Sequence, residues 1–345
     1  MFGLLRFLLA VMVLVGHLFW LSDIGRYAVF GFFILSGYLM TLVMQNTYSY
    51  SRKGVTKFLK NRFLRLYPSY WIACLLSIVI IIVLGQANTT IMSNSLALPE
   101  TPALVLTNIT MVSFALFPNE VVPRLSPATW ALTTELFYYC LIAFGISKTK
   151  LRTGCWIFLS CVYVLLTYLM NYSWHARYFA IPAGSLPFSV GAFLYFLQQE
   201  KWQPKWLDYL SHCKILVTLL IINAVIASLV QAADMLQLTE IFMYINLIIC
   251  TLLIYGIIRG KIIWSISAKM DKFLGDFSYP IYLIHLQIGA LVSFIVYGQV
   301  ESLKYQFSPV SWILTGLLII AFSLALIKII DEPIALIRNR IKAKN

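Results

Sequence analysis

The sequence predicts an all-α integral membrane protein, a bundle of about ten transmembrane helices with both termini in the cytoplasm. Three observations predict it. The 345 residues are 61% hydrophobic and 11% charged, with a mean hydropathy of +0.84, too little polar surface for a water-soluble globule. Several apolar runs are as long as the stretch that crosses hydrocarbon. Lysine and arginine gather in alternate connections, as topogenic charge does.

In chain order the predicted spans are 4–20, 25–45, 68–85, 130–147, 153–170, 178–198, 214–231, 240–258, 275–298 and 309–330. The first run has no small-x-small cleavage site and the next apolar run follows closely, so it reads as a retained helix rather than a secretory signal. Basic residues cluster at Arg52, Lys53, Lys57, Lys60, Arg62 and Arg65, then at Lys148, Lys150 and Arg152. Further clusters are Lys201, Lys205 and Lys214, then Arg259, Lys261, Lys269 and Lys272, and the tail Arg338, Arg340, Lys342 and Lys344. The intervening connections carry mostly Glu100, Glu120, Asp234, Glu240 and Glu301, with Arg26, Arg124, Arg177 and Lys304 as exceptions. An even number of spans and this asymmetry put both termini inside. The formal charge of +13 is therefore accounted for at the membrane face, and no nucleic-acid partner is expected.

The connection 86–129 has an apolar middle, ALVLTNITMVSFALF, bounded by prolines. It is too short for a span and reads as a re-entrant or interfacial helix on the external side. No soluble stretch is long enough to fold alone, so 1–345 is expected to be one domain. Six cysteines lie without CxxC pairs or a histidine cluster at ligand spacing, so neither a disulfide framework nor a metal site is expected. The triplets at Asn88, Asn108 and Asn171 match glycosylation sequons, a pattern common by chance.

Ionisable residues inside the spans are the candidates for function. Arg6 and His17 are eleven residues apart, about 1100° of helix, so they leave the same face about 16 Å from one another. Arg6 reads either as a snorkelling headgroup contact or as a cavity residue. His17, past mid-membrane, reads as a cavity-lining base or as a packing histidine. Glu135, in WALTTELFYY, needs a buried partner; His17 is the natural one, since a carboxylate would orient the imidazole as a general base, and Tyr or Thr hydroxyls are the competing partners. In SYPIYLIH, Ser278, Tyr282 and His285 fall on one helix face, which reads either as two hydroxyls and an imidazole turned into the bundle or as interfacial aromatics with a packing histidine. Arg62 and Arg65, one turn apart beside Phe58 in FLKNRFLRLYP, are either topogenic or a bidentate anion site; no P-loop glycines accompany them, which argues against a nucleoside triphosphate.

Together, Arg6 and His17 with ten residues between them, GRYAVFGFFILSGYLM, FLKNRFLRLYPSYW, WALTTELFYY, LGDFSYPIYLIH and the closing DEPI resemble, in order, the membrane-bound acyltransferase 3 family. The resemblance runs from end to end of the chain. It implies about ten spans and transfer of an acyl group, usually acetyl from cytoplasmic acetyl-CoA, to hydroxyls of a cell-surface polysaccharide or lipid-linked sugar. The implied setting is the bacterial cytoplasmic (inner) membrane, with acyl-CoA as donor substrate, no metal, and glycan-assembly proteins as further partners.

The chemistry of such a donor fits the candidate residues. Arg6, Arg62 and Arg65 would hold its phosphate end while the pantetheine arm runs along the first helix to His17. His17 would take the acceptor proton, Glu135 would orient it, and Ser36 and Tyr282 would stabilise the oxyanion. An acyl-histidine intermediate is the competing route. Two readings from other classes are a proton-coupled secondary transporter or flippase, disfavoured by the lack of an internal repeat, and a non-catalytic partner of a glycan-synthesis complex.

Overall fold

The computed structural model describes residues 1–19, 24–113, 115–200, 205–233, 235–301 and 308–343. Trp20 of the first predicted span, Phe114 of the apolar loop, and Lys201, Asp234, Lys304 and Lys344 of the charge pattern lie outside them. The described residues form helices with no strand. These are α1 (Phe2–Leu18), α2 (Ile24–Val43), α3 (Arg52–Leu84), α4 (Gln86–Met92), α5 (Pro102–Thr110), α6 (Trp130–Ala143), α7 (Lys150–Leu169) and α8 (Trp174–Tyr178). They continue with α9 (Ser185–Gln199), α10 (Lys205–Leu210), α11 (Cys213–Ala232), α12 (Leu236–Ile258), α13 (Ala268–Tyr297), α14 (Pro309–Leu326) and α15 (Glu332–Ala343). Every predicted span coincides with a helix. Eight helical segments among the described residues are long and apolar enough to cross a bilayer; α1, at 17 residues, and α6, at 14, are the two shorter members of the ten.

α1 and α13 lie side by side and run in the same direction. At one end the Asp271 carboxylate accepts the backbone N–H of Leu4 at 2.9 Å and of Gly3 at 3.3 Å, so a negative charge caps the α1 N-terminus. A Cβ on Gly3 would fall 1.7 Å from the Asp271 carbonyl oxygen, and one on Gly275 would fall 2.8 Å from the Gly3 Cα. The two backbones therefore touch, the close approach that small residues permit between membrane helices. At the other end, His17 meets His285.

The 86–129 connection turns back into the bundle. The last carbonyls of α5 accept from three aromatic donors on α3: Tyr70 donates to the Asn108 carbonyl, Trp71 to that of Ile109 at 2.9 Å, and Tyr67 to that of Thr110. From Leu84 back to Tyr67 is about 25 Å of helix, most of a hydrocarbon thickness. A helix end at that depth has no water for its free carbonyls, and the Tyr67, Tyr70 and Trp71 side chains supply the missing donors. The helix is shorter than the apolar run suggested: it stops at Met111, whose φ is +55°. Asn108, a sequon residue in the sequence, is 5% exposed and braces the returning chain, donating to Pro123 at 2.9 Å and accepting from the Leu125 N–H at 2.8 Å.

The return explains why α6 is short. Ser126 donates to the Leu283 carbonyl and Thr133 to the Met111 carbonyl at 2.6 Å, so α6 starts deep inside the bundle. From there it runs to the end where Lys148 meets Gln45. Three exceptions to the charge pattern have structural partners. Arg124, 3% exposed, clamps the Pro118 carbonyl at 2.7 Å; Arg177 grips Glu240 with two bonds of 2.7 and 2.8 Å; Arg26 stacks 4.2 Å over Trp174.

Replacing Asn108 by Ala strands the Pro123 carbonyl and the Leu125 N–H in a buried site, an expected loss of about 2 kcal/mol. A fall of several degrees in the thermal midpoint of purified Asn108→Ala protein in detergent, followed by tryptophan fluorescence, checks it; an unchanged midpoint contradicts the bracing role.

Candidate active site

Helices α1, α2, α3, α6 and α13 enclose a cavity of about 100 Å³ lined by Arg6, Arg62, Arg65, Ser36, Glu135 and Tyr282 among others. The three arginines of the sequence reading, from two helices, thus share one space. The Arg62 guanidinium donates to Asn61 Oδ1 at 2.9 Å and stands 5.8 Å from the Phe58 ring centre. Arg65 stands 5.7 Å from the ring centre of Tyr279, whose hydroxyl is held by the Leu66 carbonyl at 2.7 Å. Planar guanidiniums braced by rings and amides are pre-organised for planar or phosphate anions.

Glu135 is the acid of this cavity. Its Oε1 accepts the Ser36 hydroxyl at 2.5 Å and its Oε2 the Tyr139 hydroxyl at 3.0 Å. The expected pairing of Glu135 with His17 is not what the fold makes. A helix starting at the membrane surface would have carried Glu135 to the depth of His17; because α6 starts well inside, Glu135 arrives beside the arginines instead. Ser36 faces the same space, engaged by Glu135 and not placed at His17. Ser278 also lines it, its hydroxyl donating to the Gly275 carbonyl at 2.7 Å.

His17 lines a second, larger cavity of about 380 Å³, together with Ser93, Ser95, Asn119, Trp130 and Phe179. One partner is His285: Nδ1 of His17 lies 2.7 Å from Nε2 of His285, with the rings stacked 5.0 Å apart at 11°. His285, 1% exposed, also has Nδ1 at 3.1 Å from the Ile281 carbonyl. A carbonyl only accepts, so His285 Nδ1 carries a proton and, in a neutral ring, its Nε2 accepts. His17 Nδ1 must then donate, which makes Nε2 the basic nitrogen of His17. Across the cavity, Asn119 donates its amide to His175 Nε2 at 3.0 Å, leaving its Oδ1 buried without a hydrogen-bond partner.

Arg6 and His17 leave one face of α1 as expected, but a single tunnel does not join them. Tyr282, which lines the arginine cavity, donates its hydroxyl to the carbonyl of Ala128, which lines the histidine cavity. That contact is the partition between the two. The edge of the Tyr282 ring packs on Phe32, and its centre lies 6.3 Å from that of His285. Among the described residues no group of three His, Cys, Asp or Glu side chains is placed to share a metal ion.

Residues 2–328 match the model of the acyltransferase domain family, acyltransferase 3. The chain belongs to the membrane acyltransferase 3 family. No curated protein and no solved structure matches it significantly. For this acyltransferase the order of blocks along the chain was the informative signal; the His17–His285 pairing, the hold of Asn61 on Arg62 and the place of Asn119 in the histidine cavity had none, since asparagine on a helix or loop carries no periodic mark.

Removing the Glu135 carboxylate leaves two buried hydroxyls without their acceptor and the neighbouring arginines without its negative charge. Glu135→Ala is expected to lose about 3 kcal/mol, whereas Glu135→Gln keeps one amide oxygen for Ser36 or Tyr139 and loses less. Thermal midpoints of the two purified variants, ranked Ala below Gln below wild type, check the arrangement.

Proposed function

We propose that this acyltransferase moves an acyl group, acetyl in the first instance, from cytoplasmic acyl-CoA to a hydroxyl of a cell-surface polysaccharide or lipid-linked sugar. It would do so as a multi-pass protein of a bacterial cytoplasmic membrane, its basic end and both termini facing the cytoplasm. The observation that carries this reading is the pair of cavities meeting at Tyr282, one lined by guanidiniums and the other presenting a histidine base. An elongated thioester donor has its phosphates at one end and its reactive carbon at the other, and suits the first. A hydroxyl acceptor suits the second, where Asn119 Oδ1 offers a hydrogen-bond acceptor and Trp130 and Phe179 offer flat apolar faces.

In this reading the donor reaches Tyr282 from the arginine side, and the tyrosine hydroxyl leaves the Ala128 carbonyl as the two spaces join. The acceptor oxygen forms its bond to the thioester carbon while its proton passes to His17 Nε2, and the carbonyl electron pair moves onto oxygen. Tyr282, released from Ala128, donates to that oxyanion. As the intermediate collapses the carbon–sulfur bond breaks and the sulfur leaves with the proton of the imidazolium, giving ester and CoA thiol. The part assigned to a carboxylate in the sequence reading belongs to His285. When His17 becomes cationic its Nδ1–H strengthens its bond to the neutral His285 Nε2, a bond whose geometry is set by the Ile281 carbonyl behind it.

Purified protein in lipid nanodiscs, supplied with labelled acetyl-CoA and a membrane glycan-lipid extract, is expected to release CoA and label the extract. His17→Ala should lower the rate by about 10²–10⁴-fold. His285→Ala should follow it, and His285→Gln, whose amide oxygen still accepts from His17 Nδ1, should recover part of the rate. Thioester left intact by the wild type, or turnover indifferent to His17, overturns the proposal.

Tyr282→Phe removes the oxyanion donor while keeping the ring in the partition. It is expected to lower kcat by about 10²-fold with the KM for acetyl-CoA unchanged; a change in KM alone would assign Tyr282 to donor binding.

A further inference from the structure

The C-terminal helix reaches Arg62 of the arginine cavity through Asn61, in a way the sequence did not announce. α14 passes through a π-helical stretch, Ile327–Asp331, into α15, which runs antiparallel along the first half of α3. The joint is Asn61, 0% exposed. Its Nδ2 donates to the Arg338 backbone carbonyl at 3.2 Å. Its Oδ1 accepts from Arg62 Nη2 at 2.9 Å and from Arg338 Nε at 3.3 Å. One neutral amide oxygen therefore holds two guanidiniums together and cancels neither charge.

Other cations and donors converge on the same place. Lys342, one turn beyond Arg338, acts electrostatically on Arg338 and Arg62, and Arg338 on Arg65. Arg62 Nε and the Tyr48 hydroxyl are buried donors with no hydrogen-bond partner, and Tyr48 is within the field of both Arg62 and Arg338. Among the described residues the acids nearby are Glu135, engaged by Ser36 and Tyr139, Asp331, engaged on one oxygen by Ser69 at 2.7 Å, and Asp276, which acts on Asp331 and is paired with Lys272 at 2.6 Å. Arg6, Arg62, Arg65, Arg338 and Lys342 thus outnumber the carboxylates around them. Uncompensated charge at the edge of hydrocarbon is costly unless a counter-anion arrives, and phosphate oxygens, accepting several donors at once, match clustered guanidiniums best.

We propose that Arg338, Lys342 and the Tyr48 hydroxyl complete, with Arg62 and Arg65, a phosphate-binding site at the mouth of the arginine cavity, for which α15 is the clasp. The ligand class is a nucleotide carrying more than one phosphate. The site rests on the proposed reaction only for the identity of that nucleotide as the handle of the acyl donor.

The test is equilibrium binding of labelled adenosine 3′,5′-bisphosphate to full-length protein in nanodiscs, with a parallel set in which anionic lipid replaces neutral lipid. In neutral lipid the wild type is expected to bind; Arg338→Ala weakens binding tenfold or more, Arg338→Lys recovers part of it, Lys342→Ala weakens it severalfold, and Lys214→Ala leaves it unchanged. Anionic nanodiscs that abolish binding of the bisphosphate to the wild type would assign the site to a lipid headgroup and overturn the nucleotide assignment. Equal affinity in wild type, Arg338→Ala and Lys342→Ala, or no binding by the wild type at millimolar ligand, overturns the site itself.

Turnover separates this proposal from the preceding one. Arg338→Ala should raise the KM for acetyl-CoA tenfold and leave that for S-acetylpantetheine, which lacks the nucleotide, unchanged. A bisphosphate bound through Arg338 to a protein that never cleaves acetyl-CoA keeps the site and removes the reaction. Acetyl-CoA turnover with unaltered KM in Arg338→Ala keeps the reaction and removes the site.

Discussion

The parallel packing of α1 against α13 is the constraint on which the rest of the structure depends. It is clamped at one end by the Asp271 carboxylate on the first N–H groups of α1 and by the touching backbones at Gly3 and Gly275. With the start of both helices tied, their common rise of about 1.5 Å per residue leaves no choice about which residues meet farther on. Leu18 lies against Gly289, where a Cβ would come within 2.5 Å of its side chain, and His17 lies against His285. A side chain at position 3 or 275 would push the helices apart and undo the imidazole contact at the far end.

A second constraint is the depth to which the 86–129 segment returns. Backbone in the interior of a membrane bundle survives only where its polar groups find partners, and side chains supply several of them here. The aromatic donors of α3 take the carbonyls of α5, Asn108 takes the chain on its way back, and Arg124 and Thr133 take the carbonyls of Pro118 and Met111. Because α6 begins inside the bundle, the turn before it and its first residue expose Ala128 and Trp130 to one cavity, and α6 carries Glu135 to the other. The division of the interior into two spaces is thus a consequence of hydrogen-bond satisfaction in a loop.

The two spaces differ in electrostatic character. One gathers guanidiniums around a single acid whose oxygens are both occupied, and favours an anion. The other carries a histidine pair, an unpartnered amide oxygen and aromatic faces, and favours a neutral, hydroxyl-bearing ligand. Tyr282 stands between them, its hydroxyl on the Ala128 carbonyl, so that one side chain belongs to both walls.

Much of this was legible in the sequence. Length of apolar runs placed a helix at each of the ten predicted spans, because the cost of exposing polar backbone to hydrocarbon forces a crossing to be a continuous helix. Helical periodicity put Arg6 and His17 on one face, and the ordered blocks from GRYAVFGF to LGDFSYPIYLIH pointed to the family. Partner choice was not legible. Periodicity gives the direction in which Glu135 leaves its helix but not the depth at which that helix begins, and that depth is decided by the bonds of Asn108, Tyr67, Tyr70 and Trp71. So the chain by itself determined which ionisable groups lie within the membrane. Only the tertiary structure decided that His17 pairs with His285, that Glu135 sits with the arginines, and that Arg338 returns from the far end of the chain to join them, because contacts between distant helices depend on relative depth, which no local pattern records.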